Sequence, residues 1–124
     1  MAEQDLTQQQ TPRHDFVVKQ GAVFTRTIRF RNQESGELLS LDGLMSAELA
    51  VSPVEGTPFV ITDGPSDRFL IIDKPNKEIR IYIADEVTDT YTWRTASYEL
   101  NVTDSAGDIA RKLRGKLLLE KKVA

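Results

Sequence analysis

Apolar and polar residues alternate along much of this chain, and this period of two is the feature that most constrains its fold. Successive side chains of a β-strand point to opposite faces, so alternation marks a strand with one buried and one solvated face. Short alternating runs separated by turns predict an all-β sandwich or barrel. The apolar sides of these runs are Phe24, Ile28 and Phe30; Met45, Ala47, Leu49 and Val51; Ile79, Ile81 and Ile83; and Tyr98, Leu100 and Val102.

The C-terminal run DIARKLRGKLLLEKK admits two interpretations, a strand or an amphipathic helix. A glycine inside a helix costs about 1 kcal/mol, so Gly115 disfavours the helix. A strand that turns back on Tyr98–Thr103 explains both the spacing and the turn segment TDSAGD. We therefore predict a closing strand whose cations occupy its solvated face and discourage edge-to-edge pairing. The predicted buried face holds Ile109, Leu113, Leu117 and Leu119, with Arg111 and Gly115 in the same series.

Two other segments break the alternation. ADEVTDTYTW predicts a single helical turn or a loop. Residues 1–13, MAEQDLTQQQTPR, are polar and include three consecutive glutamines. Such composition is typical of a flexible terminal arm, and the alternative is an arm that becomes ordered on a neighbouring subunit. We predict an arm over residues 1–13 and one domain over residues 14–124.

Composition narrows the possible functions. The chain has 124 residues, no cysteine and a net charge of −3. The missing cysteines exclude disulfides and thiolate metal sites, and the acidic balance argues against a DNA-packing role or direct nucleic-acid readout. We expect no membrane span, because no run approaches about 20 apolar residues. The N-terminus lacks the layout of a secretory signal, so we expect synthesis in the cytoplasm.

Reactive chemistry has few candidates. His14 is the single histidine, and a catalytic histidine needs an oriented partner in a cleft. Acidic residues recur in turns, where they normally form local hydrogen bonds. A calcium site or a carboxylate pair is the alternative for them. We predict no catalytic, cofactor-binding or metal site, and therefore no enzyme.

Four stretches share the order of elements of one known family: DFVVKQGAVFTRTIRF, LSLDGLMSAELAVS, KEIRIYIADEVTDTYTW and ASYELNVTDSAGDIARKLRGKLLLEKK. Together they cover roughly residues 15–122, and they resemble the immunoglobulin-like N-terminal domain of phage baseplate upper proteins and related small tail proteins. The resemblance implies an immunoglobulin-like antiparallel β-sandwich. It also implies a structural protein that works in multiple copies in a phage virion, in the tail, the baseplate or the head–tail junction.

The expected partners are other virion structural proteins and further copies of this chain, arranged as a ring. The arm and the basic strand are the predicted interface. Its residues are Leu6, Gln8, Gln9, Gln10, Pro12, Arg111, Lys112, Arg114 and Lys116. The alternative function is a carbohydrate-binding or adhesion module, which requires Trp93 or Tyr82 to face solvent. Otherwise Trp93 is expected to fill the core beneath a loop.

Overall fold

The computed structural model describes residues 12–31 and 34–123, which form eight strands and one helical turn. A short helix, α1 (Asp85–Thr88), follows the sixth strand and confirms the predicted helical turn. The described part of the chain has no helix long and apolar enough to cross a bilayer. The strands are β1 (Phe16–Lys19), β2 (Phe24–Ile28), β3 (Leu44–Pro53), β4 (Phe59–Ile61), β5 (Arg68–Asp73), β6 (Glu78–Ile83), β7 (Thr95–Asp104) and β8 (Ile109–Glu120).

The strands form two packed sheets, which confirms the predicted all-β sandwich. The larger sheet has the order β1-β8-β7-β3-β4, and the smaller has the order β2-β6-β5. The larger sheet thus has five strands and the smaller has three. All pairs are antiparallel except β1 with β8, which run parallel.

The core lies between the sheets and consists of the inward side chains of the alternating runs. Burial of one large apolar side chain contributes about 1.5–3 kcal/mol, and a one-residue slip of a strand would turn its whole apolar row to solvent. The alternation therefore fixes the register of each strand. The central buried residues are Leu49 and Val51 of β3; Ile79, Ile81 and Ile83 of β6; Tyr98, Leu100 and Val102 of β7; and Leu113, Leu117 and Leu119 of β8.

Two predicted core positions are wrong, and β-bulges explain both. Ile109 is 73% exposed and Met45 is 69% exposed. The register between β7 and β8 shifts at Lys112, so the residues before that point lie on the opposite face to the one predicted. A second shift lies between Leu44 and Ser46, where Met45 is the extra residue and turns to the outer face. One extra residue in a strand reverses the facing of everything beyond it.

β8 is an edge strand along only part of its length, whereas the prediction that its lysines discourage edge-to-edge pairing treats it as an edge throughout. Phe16–Lys19 of β1 pairs with Leu117–Glu120, so the second half of β8 lies inside the sheet. Arg26 covers the outer side of β1, where its Nη2 donates to the Val17 carbonyl at 3.2 Å. The same guanidinium lies over the Phe24 ring at 4.5 Å. Arg26 thus connects the two sheets where the sandwich would otherwise be open.

Thr88 fixes α1 to the loop between β1 and β2. The Thr88 side chain is fully buried, and its hydroxyl accepts a hydrogen bond from the Gly21 N–H at 3.1 Å. The same hydroxyl donates to the Ala22 carbonyl at 2.8 Å. These bonds fix the loop from which β2 starts.

We expect Thr88→Val to lower the free energy of unfolding by about 1–3 kcal/mol, because it leaves a half-buried N–H and a carbonyl without partners. Thr88→Ser keeps the hydroxyl and loses one methyl group, which costs about 1 kcal/mol. Urea unfolding of both variants measures the difference. A Thr88→Val protein as stable as the parent would contradict this role.

Candidate assembly interface

The structure brings together two parts of the predicted interface, the end of the arm and the basic strand. The Arg114 N–H donates to the Pro12 carbonyl at 3.1 Å, and the His14 N–H donates to the Arg114 carbonyl at 2.9 Å. Arg13 lies between these bonds as a parallel bridge partner of Arg114. Pro12 and Arg114, two predicted interface residues from opposite ends of the chain, are thus hydrogen-bonded neighbours. Leu6, Gln8, Gln9 and Gln10 lie outside the described residues.

Gly115 makes this attachment possible. A Cβ atom at this position would lie 2.0 Å from the His14 carbonyl oxygen, far inside contact distance. Gly115 pairs with Tyr98 on β7, and the buried Tyr98 hydroxyl donates a short hydrogen bond to that same carbonyl. The glycine thus leaves the space that the segment before β1 occupies, and the tyrosine holds the segment there.

Asp15 and Tyr98 each add a hydrogen bond that secures the root of the arm. The Asp15 Oδ1 accepts a hydrogen bond from the Lys116 N–H at 2.9 Å and lies 3.6 Å from the Arg13 Nε. Burial raises the pKa of Tyr98 well above its usual range, and the Asp15 carboxylate adds to this effect. Both causes favour the neutral phenol, which is the form that donates to the His14 carbonyl.

The remaining predicted interface residues lie along β8. Arg114 and Lys116 are exposed on the outer face of the larger sheet, opposite Glu99 and Ser97. Arg111 Nη2 lies 3.2 Å from Glu99 Oε2, and Lys112 is the extra residue of the bulge. Exposed ion pairs contribute at most about 1 kcal/mol. Arg111, Arg114 and Lys116 are exposed, so their charges lie at the protein surface.

An apolar pair extends this basic surface toward β1. Val17 and Leu118 are register partners, and each is 41% exposed on the outer face. Small side chains follow on the neighbouring strands, among them Ser97 of β7 and Ala50 of β3. The outer face of the larger sheet thus has cations and two apolar side chains at one side, and small side chains together with Glu99 and Glu48 beyond them. This composition suits contact with another protein surface.

Sequence reasoning missed Gly115, Tyr98 and Asp15 as the residues that hold the root of the arm. Gly115 argues against a helix, and a glycine inside a strand also marks the close approach of another backbone. The sequence therefore carries a signal for this contact at Gly115. Tyr98 was placed correctly in the core, but its hydroxyl needs a partner there, which no local pattern identifies.

The candidate reactive groups have structural partners. His14 is exposed, and its ring contacts Phe16 edge-on with centroids 4.6 Å apart. Asp104 Oδ1 accepts from the Ala106 and Asp108 N–H groups at 2.9 Å each, as the turn interpretation predicts. Hydrogen bonds from Asn76 lower the pKa of Asp73. Over residues 12–31 and 34–123, no three His, Cys, Asp or Glu side chains are grouped so that they could hold a metal ion.

The aromatic residues divide between the core and the surface. Trp93 is 4% exposed and packs against Tyr91 at 5.1 Å between ring centroids, so it fills the core. It therefore does not meet the requirement for a sugar platform. Tyr82 is half-buried on the outer face of the smaller sheet, where it stacks on Phe69 at 5.1 Å. A scan against protein-family models and a search of curated proteins find no match to this chain.

We expect Gly115→Ala to displace the segment before β1, because the added methyl group and the His14 carbonyl cannot occupy the same space. The variant should lose the bonds from the Arg114 N–H to Pro12, from the His14 N–H to Arg114 and from the Tyr98 hydroxyl to His14, which costs about 2–4 kcal/mol of unfolding free energy. Amide hydrogen exchange should show the His14 and Arg114 amides losing protection. Gly43→Ala is the matched control, because no atom lies within 4 Å of its added Cβ. Equal protection in both variants would contradict the proposed contact.

We expect Tyr98 to titrate late, because its pKa is raised in the folded protein. The hydrogen bond therefore stabilises the fold below about pH 10, the ordinary pKa of a phenol, and this contribution is lost as the pH rises through the folded pKa. Ultraviolet titration of Tyr98→Phe should show one late-titrating phenol fewer than the parent. Loss of a phenol that titrates near pH 10 instead would contradict the buried bond.

Proposed function

We propose that this protein is a non-enzymatic structural component of a phage particle, in the tail, the baseplate or the head–tail junction. It is made in the host cytoplasm and assembles in multiple copies, as a ring, through its sheet edges and termini. Its partners are further copies of itself and other virion structural proteins. The assignment to a phage rests on the resemblance of its sequence, and the mode of assembly rests on its surface.

The observation that carries the mode of assembly is the fixed root of the arm beside the basic strand. Pro12 and His14 both bond to Arg114, so the arm starts from a rigid point at the edge of the sandwich. An attachment of this kind gives the arm a defined origin. A short tethered segment with a fixed origin raises the effective concentration of a second contact once the first has formed. Arm and strand therefore act as one bivalent surface.

The charge distribution supports contacts between unlike surfaces. Residues 111–122 carry six cations and one acid, so the rest of the chain holds ten cations and eighteen acids. A basic strand on an otherwise acidic molecule favours head-to-tail contacts between copies, in which the basic surface of one meets an acidic surface of the next. Contacts of this type close into rings when their rotation permits.

We expect removal of residues 1–11 to prevent incorporation into particles, measured by electron microscopy and by the copy number per particle. This deletion retains Pro12–Asp15 and its bonds to β8, so the fold should persist. Normal incorporation of the shortened protein would contradict the proposed role of the arm.

Lys116→Glu should weaken assembly by about 1 kcal/mol per contact, which is roughly fivefold in affinity. The effect should shrink as salt increases, because salt screens exposed charges. Lys77→Glu, in the β5–β6 turn, makes the same change of net charge away from β8 and is the control. Equal effects of the two substitutions would show that net charge matters and the basic strand does not.

A further inference from the structure

A groove of about 420 Å³ lies between β3 and β5, near the end of the sandwich that carries the β7–β8 turn. We call it the β3–β5 groove. Its apolar lining is Leu44, Ala47, Leu70 and Ile72, which are buried or pack against the core, together with the exposed Met45 and Ile71. Exposed polar side chains, including Ser46 and Thr62, surround them. The volume falls within the range of about 300–1,000 Å³ typical of ligand pockets, so the groove admits a short peptide segment.

Two strand edges border the groove. β4 pairs with β3 at Leu49–Val51, and among the described residues nothing pairs with the same side of Leu44–Glu48. β5 is the outer strand of the smaller sheet. Every second residue of an antiparallel edge turns its N–H and carbonyl groups away from the paired strand. An extended segment that lies beside Ser46–Glu48, past the bulge at Met45, would hydrogen-bond to those groups, as in β-strand addition.

The arm of the same chain cannot simply continue along β8. The parallel ladder places Pro12 and His14 on either side of Arg114, so the next rung requires the residue 12 N–H to donate to the Lys112 carbonyl. Proline has no N–H, and Lys112 is the bulged residue of β8. The ladder therefore cannot continue past Pro12 in this register.

We propose that the arm of a second copy occupies the β3–β5 groove as an added strand. This inference rests on the proposed assembly in multiple copies and names the surface that receives the arm. Leu6 is the single large apolar residue between Gln4 and Thr11. Its side chain enters the apolar part of the groove beside Ala47. The polar residues on either side of Leu6 meet the polar rim.

The positions of the arm's root and the groove favour exchange between copies. The root lies on the side of β8 that faces away from β7, and β3 lies on the other side of β7. Leu6 lies six residues before Pro12, and an extended segment of that length spans about 20 Å. In a head-to-tail pair, the β8 side of one copy faces the β3 side of the next, so the arm crosses only the contact between the two copies. Repetition of the contact generates a ring.

The test is disulfide trapping in the full-length Leu6→Cys/Ala47→Cys protein. The chain has no cysteine of its own, so every disulfide reports the engineered pair. A disulfide requires Cα atoms within about 7 Å. Under mild oxidation we expect a ladder of dimers, trimers and larger species on a non-reducing gel, reversed by a reducing agent.

Leu6→Cys/Ser52→Cys is the matched control, because Ser52 lies on the same strand but is exposed on the outer face and does not line the groove. The Ala47 pair should cross-link about 100-fold faster, which is the gain expected from a docked contact. Equal rates would overturn the proposal, and so would a monomer with an internal disulfide. If cross-linking fails but removal of residues 1–11 still blocks incorporation into particles, the groove is wrong and the proposed function stands.

Discussion

The contact between the His14 carbonyl, Gly115 and the Tyr98 hydroxyl fixes the position of the segment before β1 on the larger sheet. Gly115 lets the backbone before β1 approach β8, because any side chain would occupy the position of the carbonyl. Tyr98 then supplies the hydrogen bond that holds it there. The parallel pairing of β1, the fixed root of the arm and the neighbourhood of Pro12 and Arg114 all follow from this approach. The proposed surface is thus an extension of the core, which supplies Tyr98.

Short strands cover the edges of the larger sheet over only part of their length. At one end of the sandwich β1 and β4 cover the neighbouring strands, and at the other end parts of β8 and β3 lack strand partners among the described residues. Bulges lie in both of these parts. Bulges and charges discourage uncontrolled pairing between flat edges, whereas a groove between two strands still accepts one narrow segment. The proposed assembly therefore uses an added strand in place of direct contact between sheets.

Alternation predicted the strands well because burial of one face is a local constraint on each run. β2, β3, β6 and β7 lie where the alternating runs placed them. Ile109 and Met45 were misplaced because a bulge depends on the partner strand. The site was predicted less completely. Its cations were found from composition, but the bond between Pro12 and Arg114 joins residues about 100 positions apart. Gly115 indicates this close approach of two backbones, because a glycine inside a strand leaves room for a neighbouring chain segment.

Assembly of this chain with itself, through a surface built on its N-terminal root, is the premise of the proposed function. The native mass of the purified full-length protein, measured by light scattering over a range of concentrations, shows whether copies associate. We expect a discrete multiple of the 14.0 kDa chain mass, reached as the concentration rises. A mass of one chain at every concentration would contradict it.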